Sequence, residues 1–413
     1  MNFFVLAMGF ALAFVSSLIL TPLVARFAKH NKWVDLPGGQ RTVHIKATPR
    51  AGGIAVIFTF LIGIFFLMYS GAGLAMPLGA TAHPFSWALL LGAITIALTG
   101  LYDDAYGLGF KKKFLFQLVV AYGMYLAGFR VVVPEISFLD SDPYLQAALG
   151  LPLTLLWYLG VMNAVNLVDG LDGLASGVSL ISFCSLAAIF VLHGDVSLVP
   201  VAIAMAGALL GFLVFNFNPA SIFLGDTGSL FLGFMVATYA LQGTTHTHPV
   251  LAVVVMALCI GYPLVDTTLA FVRRFVKGES PFAPDKDHIH HRLVHRKRFS
   301  TKGSVVALYL IHGGMAVAAI GLSLVAPAWG LLLIIAAAGF VALILRWLGY
   351  LNVQRGIKLI KRRLSDEIGE RVPRGSWSGD GAVRSVLEPV ANAPKKLRPE
   401  KEDERELVMP SFD

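Results

Sequence analysis

The sequence predicts an all-α protein that crosses a membrane about eleven times, with its N-terminus outside and its C-terminus in the cytoplasm. Of the 413 residues, 56% are hydrophobic and 14% are charged, whereas soluble domains contain about 25% charged residues. The stretches Phe3–Leu20, Ile54–Met68 and Leu331–Leu345 contain no charged residue. Because a span needs roughly 20 mostly apolar residues to cross the hydrocarbon core, these stretches exclude a soluble protein.

Eleven apolar segments are predicted to be membrane-spanning helices. In chain order, they lie near residues 3–25, 52–70, 86–102, 114–130, 149–166, 174–193, 197–215, 229–243, 249–271, 303–325 and 327–348. The first segment has neither a basic amino-terminal region nor a small-residue cleavage site, so we interpret it as a retained helix rather than a signal peptide. The ninth is predicted to be one span, with Pro263 inside it and Asp266 near its end.

The positions of Lys and Arg predict the orientation of these spans. All but one of the 33 Lys and Arg residues fall in alternate connections, and the exception is Arg130, at the edge of a span. These connections are residues 26–51, 103–113, 167–173, 216–228, 272–302 and the tail from Arg346. Since Lys and Arg concentrate in cytoplasmic loops, this side is predicted to be cytoplasmic. The net charge of +8 is thereby explained by topology, and nucleic acid is not an expected partner.

The chain is predicted to have three parts. Residues 1–348 form the transmembrane domain. Residues 349–364 combine apolar and basic side chains, which is typical of an amphipathic segment on an anionic leaflet. Residues 365–413 are rich in Pro, Gly and charge and are expected to form a disordered cytoplasmic tail without chemistry of its own.

Acidic residues outside the tail concentrate at the predicted cytoplasmic ends of the spans. A charge at the membrane centre costs about 2.5–3.5 kcal/mol on insertion scales, so acids near the membrane are functional candidates. Asp103 and Asp104 are adjacent, and Lys113 follows at the start of the next span. Adjacent side chains on a helix diverge by about 100°. We therefore expect one carboxylate to act at a site while the other orients it or contacts a metal, although a solvated helix end is the alternative.

A second group has polar residues at every third position. Asn163, Asn166, Asp169 and Asp172 have this spacing, which predicts that they lie near one face of a helix. Carboxylate and amide oxygens suit a hard cation such as Mg²⁺. The alternative, an Asp that caps a helix, explains one of the acids but not the series.

A third group precedes the eighth predicted span. The run Gly225-Asp226-Thr227-Gly228-Ser229 is typical of a tight turn into a helix. Asp226 is predicted to be either the cap of that helix or a metal ligand, and the sequence leaves both open. Asp266, in the ninth span, is expected either to pair with a basic neighbour or to line a cavity.

A fourth group is rich in histidine. His288, His290, His291 and Arg292 lie within five residues of one another. Histidine clusters often bind zinc, but no Cys is nearby and no His-Glu-x-x-His pattern is present. A cationic segment that binds phosphate and assists proton movement fits better.

Together, these groups offer oxygen ligands for Mg²⁺ and cations for phosphate, which is what phosphoryl transfer requires. The sequence has no P-loop motif, which disfavours an ATP-driven pump. A secondary transporter is the alternative from another class, but it would place its ionisable residues near the bilayer midplane.

The ordered motifs resemble those of the polyprenyl-phosphate N-acetylhexosamine-1-phosphate transferases, the family that contains WecA, TagO and MraY. The resemblance covers residues 1–348 and rests on His44-x-x-x-Thr48-Pro49-Arg50-x-Gly52-Gly53, Asp103-Asp104, Asn163-x-x-Asn166-x-x-Asp169-Gly-x-Asp172-Gly173, Phe223-Leu-Gly-Asp226-x-Gly-Ser229 and His288-x-His290-His291-Arg292. The form of the histidine motif and the eleven spans are similar to the WecA/TagO branch. The MraY branch usually has consecutive histidines followed by Phe-Glu.

The resemblance implies transfer of a sugar-1-phosphate, in first place GlcNAc-1-phosphate, from a UDP-sugar to undecaprenyl phosphate. The reaction would release UMP and form sugar-diphosphoundecaprenol, the first lipid-linked step of cell-surface polysaccharide synthesis. It would occur at the cytoplasmic face of a multi-pass protein in the inner (plasma) membrane. An MraY-type transferase for UDP-N-acetylmuramoyl-pentapeptide is the alternative. The implied partners are both substrates and membrane lipid, with a homodimer left open.

The resemblance also implies roles for individual residues. Mg²⁺, with Mn²⁺ as an alternative, would be bound by Asp226 and Asn166. The carboxylates implied in catalysis are Asp103 or Asp104, for the lipid phosphate, and Asp169 and Asp172, for the uridine or sugar. The residues implied in substrate binding are Lys46, Lys113, Asn218, His288, His290, His291 and Arg292.

Overall fold

The computed structural model describes residues 2–35, 47–70, 87–131, 143–242, 249–277, 288–295, 299–325 and 327–347. They form thirteen α-helices and two short strands: α1 (Phe3–His30), β1 (Val34–Asp35), β2 (Thr48–Pro49), α2 (Gly52–Tyr69), α3 (Trp87–Tyr106), α4 (Phe110–Leu126), α5 (Pro143–Val168), α6 (Leu174–His193), α7 (Val199–Asn216), α8 (Gly225–Gln242), α9 (Pro249–Ile260), α10 (Tyr262–Lys277), α11 (Ile289–His295), α12 (Thr301–Leu324) and α13 (Pro327–Trp347). They all belong to one compact unit that ends at Tyr350. The predicted segments 349–364 and 365–413 lie outside the described residues, as does Lys46.

The predicted all-α membrane fold is confirmed. Each predicted span coincides with a helix or, in one case, with a pair of helices. Among the described residues, seven helices are long and apolar enough to cross a membrane, or eight if the bent pair α9–α10 counts as one span. The count of eleven and the orientation of the chain stay predictions.

Helix α8 lies at the centre of the bundle. Gly225 and all residues from Thr227 to Leu241 are buried. The helix packs against α2, α3, α5, α6 and α9. The outer helix α1, in contrast, is only 22% buried along its apolar stretch. A helix enclosed by other helices does not need a lipid-facing apolar surface, because small and polar residues can form its contacts. This explains how α8 can begin with Gly225, Asp226 and Thr227.

Glycines allow neighbouring helices to approach the first turn of α8. A Cβ added to Gly100 in α3 would lie 2.5 Å from the carbonyl oxygen of Asp226, and one added to Gly53 in α2 would overlap the backbone of Gly228. The start of α2 is also joined to the segment before α8, because Gly52 N–H donates to the carbonyl of Phe223 at 2.8 Å. The amino ends of α2 and α8 and the carboxyl end of α3 therefore meet at one end of the bundle.

The ninth predicted span is broken. The chain forms α9 and α10, whose axes are bent 96° apart, rather than the single helix we predicted over 249–271. Gly261 adopts a left-handed conformation with φ of 56°, and Pro263 has no N–H with which to continue the hydrogen bonding of α9. The N–H of Tyr262 donates to Nδ1 of His312 in α12, at 3.3 Å.

We predict that Gly100→Ala destabilises the protein by about 1–3 kcal/mol, as overpacking does elsewhere, because the new methyl group meets the α8 backbone. Gly123→Ala in α4 is the matched control, since no described atom lies within 4 Å of its added Cβ. Alanine in an open helical position stabilises by about 0.5–1 kcal/mol. Thermal unfolding in detergent measures both variants, and equal midpoints would contradict the proposed close approach.

Candidate active site

Asp104, at the end of α3, caps the amino end of α8. Its Oδ1 accepts a hydrogen bond from the N–H of Asp226 at 2.8 Å, and its Oδ2 accepts from the N–H and hydroxyl of Thr227 at 2.8 and 2.7 Å. The side chain is 5% exposed. The first N–H groups of a helix have no partner within it, so Asp104 satisfies them from a neighbouring helix. The cap predicted as one role of Asp226 is thus provided by Asp104.

Asp226 then projects into a cluster of alternating charges. Nζ of Lys113 lies 2.5 Å from Oδ2 of Asp226 and also contacts Oδ2 of Asp103. On the other side, Nη2 of Arg50 is 3.4 Å from Oδ1 of Asp226, and its Nε is 3.3 Å from Oδ1 of Asp104. Three carboxylates therefore share two cations. Arg50 belongs to the first of the ordered motifs but is not among the predicted site residues, because membrane topology already explains a basic residue in this loop.

Lys113 and Arg50 remain charged in the environment formed by these carboxylates. Burial alone would lower the pKa of the Lys113 ammonium, but Asp226 and Asp103 outweigh that effect and raise the pKa above its ordinary value. Burial likewise opposes the charge of Arg50, and Asp226 and Asp104 raise the pKa of its guanidinium. The Arg50 side chain is 45% exposed, so this cation is accessible from solvent.

Asn166, near the end of α5, adjoins Asp226, the other residue of the predicted metal pair. Its Nδ2 donates to Oδ1 of Asp226 at 3.0 Å and to the hydroxyl of Ser229 at 2.8 Å. Asn163, one turn earlier, donates instead to Oε1 of Gln117 in α4 at 2.8 Å. The two asparagines therefore have different neighbours in spite of their spacing.

The prediction that all four polar residues lie on one helix face is wrong, because α5 ends at Val168. Asp169 and Asp172 lie in the turn that follows, where Gly173 has a φ of 80°. Oδ2 of Asp172 accepts from Nδ2 of Asn218 at 2.8 Å and from the N–H of Ala220 at 3.0 Å. Asp172 and Asn218 thus hold the segment between α7 and α8 in place.

Asp169 differs from its neighbour Asp172. Asp169 is half-buried as a residue, and its carboxylate makes no hydrogen bond to another described side chain. Burial raises the pKa of this carboxyl well above its ordinary value, and the charge of Asp226 raises it further. Asp169 is therefore the carboxylate of this group that remains available to a ligand.

The histidine motif lies against the same turn. A Cβ added to Gly170 would lie 3.0 Å from Nε2 of His290, so this ring covers the turn between Asp169 and Asp172. The ring centroid of His291 lies 4.3 Å from that of His290, and Arg292 is buried. The structure therefore brings the second, third and fourth predicted groups to one end of the bundle.

Asp266 pairs with the histidines, which was one of its two predicted roles. Its Oδ2 lies 3.2 Å from Nδ1 of His288 and 3.6 Å from Nδ1 of His290. Its Oδ1 accepts the N–H of Ile289 at 2.8 Å. Asp266 and the histidines are more than twenty residues apart in the sequence, so no local sequence pattern predicts this contact.

The oxygen atoms around Asp226 fit Mg²⁺. The described residues contain no group of three or more Asp, Glu, His or Cys side chains that could hold a metal ion. Mg²⁺, however, commonly uses one or two carboxylates, with waters and substrate phosphates completing its shell. Asp226 already attracts two cationic side chains, and the Asn166 amide adjoins it. To bind the same ion, that amide would present its oxygen in place of its nitrogen.

Comparison with known proteins identifies a family and several relatives. The family model described as glycosyl transferase family 4 matches residues 86–244. The chain is 35% identical over 306 residues to a probable undecaprenyl-phosphate N-acetylglucosaminyl 1-phosphate transferase of Bacillus subtilis (strain 168), covering 74% of this chain and 82% of the relative.

Two further relatives have similar names. An undecaprenyl-phosphate alpha-N-acetylglucosaminyl 1-phosphate transferase of Escherichia coli (strain K12) is 29% identical, over 82% of this chain and 90% of its own length. A decaprenyl-phosphate N-acetylglucosaminephosphotransferase of Mycobacterium tuberculosis (strain ATCC 25618 / H37Rv) is 33% identical, over 62% of this chain and 67% of its own.

We predict that Asp104→Ala destabilises the protein more than Asp103→Ala. Loss of a single capping side chain costs about 0.5–2 kcal/mol, and Asp104 accepts three hydrogen bonds from α8. Asp103 contacts Lys113 and the N–H of Leu108 instead. The two unfolding midpoints in detergent provide the comparison. If Asp103→Ala is the less stable variant, Asp104 does not hold α8 as described.

Proposed function

Because the chain belongs to glycosyl transferase family 4, with the polyprenyl-phosphate N-acetylhexosamine-1-phosphate transferases, we propose that it transfers GlcNAc-1-phosphate from UDP-GlcNAc to undecaprenyl phosphate. The observation that carries the proposal is the cluster in which Lys113 and Arg50 flank Asp226. A reaction between a lipid phosphate and a nucleoside diphosphate sugar gathers several negative charges, and the transition state needs cations placed in advance. The relatives' names favour N-acetylglucosamine over the MraY-type donor.

The transfer makes one bond and breaks one. An oxygen of the lipid phosphate attacks the phosphorus next to the sugar, and the bond from that phosphorus to the bridging oxygen breaks. The bridging oxygen leaves with UMP, and the products are UMP and sugar-diphosphoundecaprenol. Lys113 and Arg50, which pair with the carboxylates of the cluster, would neutralise charge on the two substrates.

Asp226 and Asn166 would hold Mg²⁺, which when bound supplies charge neutralisation for the diphosphate and the departing UMP. Asp103 acts directly on the lipid phosphate, because the carboxylate of Asp104 is already engaged with α8. It positions the attacking phosphate and accepts its proton where one is present. Asp169, with the ring of His290 beside it, faces the donor.

The site belongs at the cytoplasmic membrane surface. Its residues come from helix ends and the adjoining turns, whereas a transporter would hold its ionisable residues near the midplane. All but one of the Lys and Arg residues fall on the same side of the predicted spans, which is the side expected to be cytoplasmic. A cytosolic UDP-sugar and the headgroup of a lipid phosphate can meet only at this surface.

The first test measures UMP released by the purified chain with undecaprenyl phosphate and a panel of UDP-sugars, with Mg²⁺ or with a chelator. We expect release from UDP-GlcNAc that the chelator abolishes. Asp226→Asn should reduce it by about a hundredfold or more, as loss of a transition-state charge partner does. Asp195→Asn, at the opposite end of α6, should leave it unchanged. No UMP from any donor would contradict the proposal, and normal turnover in Asp226→Asn would remove that residue from the metal site.

The second test separates Asp103 from Asp104. We expect Asp103→Asn to unfold at nearly the midpoint of the unsubstituted chain, because asparagine keeps an oxygen for the N–H of Leu108. Turnover should nevertheless fall by about 10²–10⁴-fold, the range for loss of a proton acceptor. Saturation with lipid phosphate in the UMP assay measures it, and near-normal turnover would exclude Asp103 from the reaction.

A further inference from the structure

We propose that Asp266 is a positioning residue for the transfer reaction and acts by fixing the rings of His288 and His290. This inference rests on the function proposed above. Asp266 is 1% exposed, and an uncompensated carboxylate at such a position is expensive. The groups that compensate it are the two histidines, the N–H of Ile289 and the hydroxyl of Tyr262.

The contacts with Asp266 orient the rings of His288 and His290 in the same way. Nδ1 of His288 and of His290 face Oδ2 of Asp266, at 3.2 and 3.6 Å. The hydroxyl of Tyr262 lies 3.4 Å from the same carboxylate oxygen and 3.3 Å from Nδ1 of His290. A carboxylate beside one ring nitrogen favours the proton on that nitrogen and leaves the other nitrogen directed elsewhere.

The other nitrogen of His290 is directed at the active site. Its Nε2 lies against Gly170, in the turn that carries Asp169 and Asp172. The ring centroids of His288 and His290 lie 5.6 Å apart, and the two rings are nearly parallel. Asp266 therefore sets which ring atoms are presented to a donor at that turn.

Asp266 is itself held by the break between α9 and α10. It lies one turn after Tyr262, whose N–H donates to Nδ1 of His312 at 3.3 Å, and Nε2 of His312 lies 3.1 Å from the hydroxyl of Ser182 in α6. His312 is fully buried. The position of the histidine pair is thus fixed through a series of buried polar contacts that begins in the core.

A purely structural role of Asp266 would require only one of its two carboxylate oxygens. Capping of α11 needs only an acceptor for the N–H of Ile289, which asparagine at position 266 would still provide. The second carboxylate oxygen faces the histidines, and asparagine would place an amide there. Asp266→Asn is therefore the variant that separates capping from the orientation of the rings.

The test is a cycle of variants of the full chain, assayed by UMP release at saturating UDP-GlcNAc and undecaprenyl phosphate. We expect Asp266→Asn to lower kcat by roughly 10- to 100-fold, the range seen when a group that orients a functional histidine is removed. In a His288→Ala/His290→Ala background, the same substitution should change kcat less than twofold, because the rings through which it acts are gone. Thr267→Val is the control, since its hydroxyl has no hydrogen-bond partner among the described residues.

Hydrogen exchange of residues 288–295 gives a readout that needs no turnover. Asp266→Ala should raise exchange there, whereas Thr267→Val should not. Equal fold-losses of kcat in both backgrounds, or unchanged exchange in Asp266→Ala, would overturn the positioning role alone. An unsubstituted chain that releases no UMP from any donor would instead overturn the proposed function, and with it any role of Asp266 in transfer.

Discussion

The hydrogen bonds from the first turn of α8 to Asp104 are the contacts on which the rest of the site depends. Helix α8 is enclosed by other helices, so water cannot satisfy its first N–H groups, and an unsatisfied group in such a place costs several kcal/mol. Asp104 supplies the acceptors from α3, and Gly100 lets the two backbones meet. This contact sets the place of Asp226, and thereby of the cations that pair with it.

The same contact explains why two adjacent carboxylates have different environments. A helix turns by about 100° per residue, so Asp104 faces α8 while Asp103 faces Lys113. Lys113 and Arg50 each contact two carboxylates, which offsets the repulsion that three neighbouring negative charges would otherwise create. The arrangement pairs each cation with two carboxylates and so balances charge within the cluster.

The sequence was sufficient to predict the helices and the end of the bundle at which the acids gather, because apolar length and the spacing of charged residues are local properties. It could not assign the carboxylates. Which of Asp103 and Asp104 faces α8 depends on how α3 packs, and the even spacing from Asn163 to Asp172 suggested one helix face although α5 ends at Val168. Pro263 was visible within the ninth span, but the bend required Gly261 in a left-handed conformation and a partner from α12. The contact of Asp266 with the histidines joins distant segments and has no local signature.

The break between α9 and α10 connects the physics of the membrane with that of the site. A helix that ends inside a bundle exposes N–H and C=O groups that lipid cannot satisfy, so a break persists only where side chains replace the lost partners. Here His312 accepts the N–H of Tyr262, and the hydroxyl of Tyr262 then contacts Asp266 and His290. A straight span would have carried Asp266 along the axis of α9. The bend of 96° instead places this carboxylate at the first N–H of α11, where its charge can orient His288 and also His290, the ring that covers the turn at Asp169.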